Sequence, residues 1–385
     1  MRAVIMMIVH VMTRLMRGGA EENTLRSCRA QMAAGHRVVL VHGAEYDPAA
    51  REEAAGVVEV RTVERMFHRI SPADDIAAVR ALRDLYREVG ADVVHTHQSK
   101  AGVLGRLAAR LARTPTVIHG IHILPFVNVG PVEEAVYVAA EWICAPITHG
   151  FISVSPSVRD ECVRRGLGRP EKHFVAMSAM DVERFKTAAP PADWRTLLAL
   201  APGQDQPPTA VMLATFEPRK RQLEFIKAVP DAFAGVPDWR ILFAGRGETL
   251  DEAQALVEEL GLTHRIRFAG HRPDPEAIIA MADIGVLTSL REGLPRVLVQ
   301  YAAAGKPAVV SCLPGIGDVV TDDVNAIITP TDDIAAAARA VARLLGDVVL
   351  RQRLSAGALN VDVDAWSPER MDAAVDEAYR RVRAA

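Results

Sequence analysis

Short, unbroken apolar runs recur along this 385-residue chain, each followed by a stretch with helical spacing. The clearest are residues 4–11, 37–41, 93–96, 116–119 and 150–154, then 210–214, 241–244, 266–269, 284–288 and 308–312. A strand with one solvated face alternates apolar and polar residues. A strand that is apolar throughout has both faces covered, as in parallel sheets flanked by helices. The pattern therefore predicts an α/β fold. It is interrupted over 188–208, where Pro190, Pro191, Pro202, Pro207 and Pro208 end regular structure. Two doubly wound, Rossmann-like domains follow, over 1–187 and 209–366, with 188–208 as their linker. The last segment, 367–385, opens with Ser367-Pro368-Glu369, a capping residue followed by proline at the first helical position, and continues as a helix. The length is generous for one core and suits two. In such sheets ligands bind at the carboxyl ends of the strands, and two domains facing each other would form a central cleft.

Composition narrows the function. A formal net charge of -3 argues against a general polyanion binder, so nucleic acid is not an expected partner. Cys28, Cys144, Cys162 and Cys312 are scattered, which fits neither a disulfide framework nor a zinc site and is simplest in a reducing cytoplasm. Residues 1–12 are apolar but run into Thr13-Arg14 and Gly18-Gly19 without a small-residue cleavage site, and read as a buried strand. No apolar run approaches the ~20 residues of a membrane span, so any membrane contact would be peripheral, at the inner face.

The most informative stretch is 289–307. There Glu292 is followed by Gly293-Leu294-Pro295, an apolar run, Gln300 and a closing Gly305. Proline suits a first helical turn, and free N–H groups beside a carboxylate suit a charged, hydroxylated ligand. If the interval is helical, the eight residues from Glu292 to Gln300 span roughly 12 Å, about the distance from sugar ring to ribose in a nucleotide sugar. This stretch resembles the Glu-x7-Glu signature of the retaining glycosyltransferases of family four, which have the GT-B fold, with Gln300 in place of the second acid. The resemblance continues in Val154-Ser155, in 178–185 and in Phe268-Ala269-Gly270, near the expected nucleobase pocket. It implies that the last helix crosses back to the amino-terminal domain.

Further candidates lie at strand ends. Gly18 and Gly19 let backbone amides approach a ligand ahead of a helix, and the loop resembles the family's Gly-Gly loop beside the donor phosphates and acceptor. Arg219-Lys220-Arg221 follows the first strand of the second domain, where a diphosphate would lie. Lys220 aligns with the family's phosphate-binding lysine, whereas Thr215 replaces its arginine, so one phosphate contact is lost or supplied by a neighbour; Arg219 is a further donor-binding candidate. Taken singly, Arg219 and Arg221 fit a solvated basic turn better than a phosphate site. His122 matches the family's cleft histidine near donor sugar and acceptor hydroxyl. His95 and His97 lack further ligands at suitable spacing and read as a loop beside the acceptor, not a metal site. In 100–113, Val103, Leu107 and Leu111 fall on one face and Arg106, Arg110 and Arg113 on another; a solvated face is the default, attraction to anionic lipid the sharper option. Gly245-Arg246-Gly247 lacks the third glycine of a dinucleotide fingerprint, and Asp362-Val363-Asp364 sits too near the chain end to be a metal motif.

The resemblance thus implies a metal-independent, cofactor-free transferase that moves a sugar from a nucleoside diphosphate, preferably uridine diphosphate, to a glycan or lipid-linked glycan. In it Glu292 holds the donor sugar, Lys220 and the backbone near Gly293, Leu294 and Pro295 stabilise the diphosphate, and Gln300 bonds the ribose. A nucleotide-sugar epimerase and a catalytically silent binding subunit, the latter suggested by Gln300 and Thr215, remain alternatives.

Overall fold

The structure, a computed structural model, describes residues 5–127, 129–292 and 295–384. The chain divides into two compact units, Met1–Ala179 with Pro368–Ala385, and Met180–Ser367. Unit 1 is built on strands β1 (Met7–Met12), β2 (Arg37–Gly43), β3 (Glu59–Val63), β4 (Val93–His97), β5 (Thr116–Ile121), β6 (Gly150–Ser153) and β7 (His173–Val175). They form one sheet in the order β3-β2-β1-β4-β5-β6-β7, parallel throughout. Unit 2 contains β8 (Thr209–Leu213), β9 (Arg240–Ala244), β10 (Ile266–Gly270), β11 (Ile284–Leu287), β12 (Ala308–Ser311) and β13 (Ala326–Thr329). Their order, β10-β9-β8-β11-β12-β13, repeats the doubly wound plan, again all parallel.

Hydrophobic burial explains the strands. β1, β4, β5 and β9 are buried at every position, with helices on both sheet faces. In unit 1, Ile8, Met12, Val93 and Ile118 pack on one face, and Val9, Val11, Val94 and Val117 on the other. The order of strand addition reverses between β1 and β4, and in unit 2 between β8 and β11; ligand crevices of such folds open at these switch points.

Two boundaries differ from the sequence expectation. Residues 180–187 belong to unit 2, because Phe185 is buried there, Arg184 pairs with Glu276 at 2.7 Å and Lys186 with Asp364 at 2.8 Å. The proline-rich 188–208 is attached to unit 2 and contains the short helix Trp194–Leu197. Leu198 is fully buried, its carbonyl accepts from Arg240 Nε at 3.2 Å, and Asp193 pairs with Arg272 at 3.0 Å. The helix Pro368–Ala384 lies in unit 1, where Met371, Val375, Ala378 and Tyr379 join the cluster of Ile8 and Val93 and Asp372 pairs with Arg26 at 2.6 Å.

The helix Ser99–Ala112 also departs from its predicted faces. Arg106, placed by spacing on a solvated stripe, is fully buried and makes two 2.8 Å bonds to the Glu141 carboxylate, while Leu111 is exposed. Small residues, Ala101, Gly102, Gly105, Ala108 and Ala109, with Leu104, form most of the buried face, and the glycines let His119, Thr96 and Tyr86 pack against the helix. A rule that counts only large apolar residues misreads such a helix.

Candidate active site

Each unit gathers polar residues at its switch point, and the two groups differ in kind. In unit 2 the chain leaves β8 through Ala214–Phe216 and a 3-10 turn, Pro218–Lys220, before the helix Gln222–Ala232. Gly245 and Gly247, set aside above as a dinucleotide motif, hold this exit in place. A side chain at Gly245 would meet the Ala214 carbonyl at 1.9 Å, and one at Gly247 the Phe216 carbonyl at 2.2 Å. Phe216 N–H donates to the Arg246 carbonyl at 2.9 Å. Close backbone approach accounts for these glycines.

The loop after β11 meets this exit. Leu290 N–H donates to the Arg219 carbonyl at 2.9 Å, and the Thr288 hydroxyl to the Lys220 carbonyl at 2.7 Å. Lys220 Nζ consequently bonds Glu292 Oε1, each side chain 13% exposed, and Arg219 Nη1 lies 3.4 Å from the same oxygen. Burial alone would push the Glu292 carboxyl up, but Lys220, Arg219 and the Ser289 hydroxyl together hold it below the ordinary carboxylate range. Arg219 also binds Glu217 Oε1 at 2.5 Å, and the Thr215 hydroxyl donates to that carboxylate at 3.0 Å. Arg219 is thus no solvated turn residue, whereas Arg221 is a structural one, at φ 61° and bonded to Glu224 and the Thr331 carbonyl.

The helix begins at Arg296, with Pro295 as its cap, and contains Gln300, half-buried one turn on. Glu292 precedes the helix, so the span of roughly 12 Å computed for a continuous helix does not apply. Gly293 and Leu294 lie outside the described residues. Phe268 leans inward, stacked on Phe243 at 5.6 Å, and packs against the unit's core.

In unit 1 the group is a set of imidazoles, buried except for the half-buried His122. His10 on β1 and His95 on β4 are in register; His97 ends β4, and His119 and His122 belong to and follow β5. His97 Nδ1 lies 2.9 Å from His122 Nε2, His97 Nε2 lies 2.9 Å from His10 Nδ1, and His10 Nε2 lies 2.8 Å from Gln31 Oε1. His95 Nδ1 bonds the Tyr379 hydroxyl at 2.9 Å. Burial pushes His10 and His122 down to about 4 and holds His95, His97 and His119 well below 6.5, so all five are neutral at neutral pH. The expectation of a loop at 95–97 is therefore corrected: these residues are strand, and buried. His10 also supplies the third nitrogen that sequence spacing did not reveal, since the nitrogens of His10, His95 and His97 lie within 4.8 Å of one another. A cation there would have to displace hydrogen bonds, because both His10 nitrogens are already paired. The signal for His10 was a polar residue inside an otherwise apolar strand; nothing in the sequence linked Gln31 or Tyr379 to it.

Gly18 and Gly19 follow β1 in the same unit, Gly18 capping the helix Gly19–Ala33. Glu21 and Glu22 occupy its first turn, and Gln98 ties the loop down by donating to Glu21 at 3.0 Å and accepting from Thr13 N–H at 2.9 Å.

Residues 17–184 match the sequence profile of Glycosyltransferase Family 4, and 201–361 that of Glycosyl transferases group 1. The chain is 28% identical, over 75% of its own length and 75% of the relative's, to the UDP-Gal:alpha-D-GlcNAc-diphosphoundecaprenol alpha-1,3-galactosyltransferase of Escherichia coli. It is 32% identical to the lipopolysaccharide core biosynthesis glycosyltransferase LpsD of Rhizobium meliloti over 38% of this chain and 42% of that one. The fold is that of Anabaena HepE, whose crystal structure holds UDP and glucose, with a TM-score of 0.78 over 98% of this chain and 100% of that chain at 20% identity.

Proposed function

Because the chain belongs to the GT-B glycosyltransferases of family-four type, we propose that it is a retaining, metal-independent hexosyltransferase that takes a sugar from a UDP-sugar and delivers it to a glycan or lipid-linked glycan. The observation that carries this reading is the Lys220–Glu292 pair at the unit 2 switch point, backed by Arg219. In it a carboxylate able to bind sugar hydroxyls and two cations able to bind a diphosphate are already preorganised, so little reorganisation accompanies charge development on the leaving group. Lys220 acts as a point charge on the diphosphate; Arg219 supplies the contact that Thr215, in place of the family's arginine, cannot. Gln300 bonds the ribose and Phe268 borders the base. The Gly18-Gly19 loop and His122 contribute hydrogen bonds to donor and acceptor. The galactosyltransferase relative, named for a UDP-sugar and a lipid-linked acceptor, supports both partner classes. No helix among the described residues is long and apolar enough to cross a membrane; exposed Val132, Val136, Trp142 and Ile143 on the helix Pro131–Cys144 support a peripheral encounter with a lipid-linked acceptor.

A panel of nucleotide sugars, followed for released nucleoside diphosphate and sugar identity with and without acceptors, tests the reading. Acceptor-dependent release supports it, and sugar conversion without acceptor would indicate an epimerase. Lys220→Ala should weaken binding of UDP far more than that of uridine, since only UDP has the groups a cation recognises; equal weakening in calorimetry would reduce Lys220 to a structural role. Activity abolished by a chelator and restored by magnesium or manganese would overturn metal independence.

A further inference from the structure

Three imidazoles of unit 1, His122, His97 and His10, form a hydrogen-bond chain that ends on Gln31, and a fourth, His95, bonds Tyr379 beside that amide. A neutral imidazole has one N–H and one lone pair. Each hydrogen bond between two of them uses one of each, so the orientation of any link fixes its neighbour. If the Gln31 amide oxygen accepts from His10 Nε2–H, then His10 Nδ1 accepts from His97 Nε2–H and His97 Nδ1 accepts from His122 Nε2–H. That leaves His122 Nδ1 as a lone pair, and this atom is buried without a partner among the described residues. A second branch starts from the same amide. Gln31 lies against the Tyr379 hydroxyl, its nitrogen outside strict hydrogen-bond geometry, and Tyr379 bonds His95 Nδ1. With the amide nitrogen facing it, Tyr379 donates to His95, which carries its proton on Nε2, the other buried atom without a partner.

Both orphan atoms belong to imidazoles lining one cavity, with Asn23, Thr24, Ser27 and Gly120 around them. Gly120 is the cradle: a Cβ there would stand 2.8 Å from His97 Nδ1, 3.1 Å from His95 Nε2 and 3.3 Å from His122 Nε2. Buried polar atoms are seldom left without partners, and each such atom is destabilising until a ligand or water satisfies it.

We propose that Gln31 is a positioning residue that sets the proton on His122 through His10 and His97 and the proton on His95 through Tyr379, so that the cavity offers one acceptor and one donor to a single sugar hydroxyl. Turning the amide over reverses every bond in both branches, and the cavity still offers one donor and one acceptor, exchanged. With the amide bonded to both His10 and Tyr379, the two ends stay complementary to an O–H group, which both donates and accepts. The choice of a sugar as the source of that hydroxyl rests on the proposed transfer activity; the relay itself does not.

Nitrogen NMR of the full chain labelled with ¹⁵N-histidine tests the relay. His10, His97, His122 and His95 should all carry their protons on Nε2. In Gln31→Leu, His10, His97 and His122 should lose this common state together, with kcat reduced about tenfold, as expected for one misdirected hydrogen bond, and the donor KM changed little. Tyr379→Phe should release His95 alone, and it serves as the second probe should Gln31→Leu fold poorly. A parent with His122 and His10 in opposite tautomers, or a Gln31→Leu spectrum unchanged at His122, would overturn the proposal. So would tight binding of one equivalent of zinc with loss of the His10–His97 bond. Saturation with a UDP-sugar or acceptor that is turned over should move the His122 or His95 signal where UDP alone does not; turnover with both unmoved would mean that the cavity holds only water. Absence of transfer from any nucleotide sugar, with the tautomer pattern intact, would remove the transferase reading and leave the relay standing.

Discussion

The two switch points solve one problem, holding polar side chains under a sheet edge, in opposite ways. Unit 2 places a lysine and a glutamate in contact and keeps them charged, with Arg219 alongside. Unit 1 places four histidines in deep burial and a fifth, His122, half-buried, and keeps them neutral. Charge survives burial only when paired, whereas imidazole can shed its charge and remain a hydrogen-bonding group. A diphosphate would meet the first kind of site, and an uncharged hydroxyl the second. Unit 1 does contain a buried charged pair, Arg106 and Glu141, but both carboxylate oxygens are spent on the guanidinium. The same chemistry serves the scaffold there.

Acid should separate the units most. Each of the five histidines has a folded pKa below the ordinary 6.5, so the unfolded chain binds more protons and stability falls as pH drops from 6.5 toward about 4. Each contributes up to ~1.4 kcal/mol per pH unit in that window. The Glu292 carboxyl, held below its ordinary 4.5, keeps its contribution until pH falls through and beneath that value. Hydrogen exchange compared at pH 7 and 5.5 should therefore show β1, β4 and β5 losing protection while β8 and β11 keep theirs; equal loss in both units would break the contrast.

Arg106→Leu comes next, because it strands the Glu141 carboxylate in the core. Denaturant unfolding should show a loss of about 3–5 kcal/mol confined to unit 1, and a change below about 1 kcal/mol would mean that the pair is dispensable. Glu292→Gln keeps the shape and removes the charge facing Lys220. Loss of one preorganised electrostatic contact typically costs ~10²–10³ in rate, so turnover within a few-fold of the parent would remove Glu292 from the mechanism. The smallest effect is expected at Gln300. Gln300→Glu restores a charged acceptor for ribose hydroxyls, a gain of about 1 kcal/mol, and should lower the donor KM at similar kcat. A large rise in kcat from an inactive parent would instead favour the silent-subunit reading.

The two sheets were legible because parallel strands are buried on both faces, and a run such as 241–244 has no other stable use. The contents of the sites were legible only in part. Lys220 and Glu292 stood out as charges at strand ends and they do meet, although 72 residues separate them. Arg106 misled because its sequence spacing matches a solvated stripe while its partner, Glu141, lies on another helix.

Sequence alone determined the fold class, the doubling of the domain and the residue types available at each strand end, since these follow from local periodicity and composition. Tertiary structure decided which of those residues touch. The relay joins Gln31, His10, His97 and His122 from four separate segments, with Tyr379 arriving from the far end of the chain. Such contacts depend on strand order and register, and on burial that turns a histidine from a charge into a directional hydrogen bond, and no local pattern encodes them.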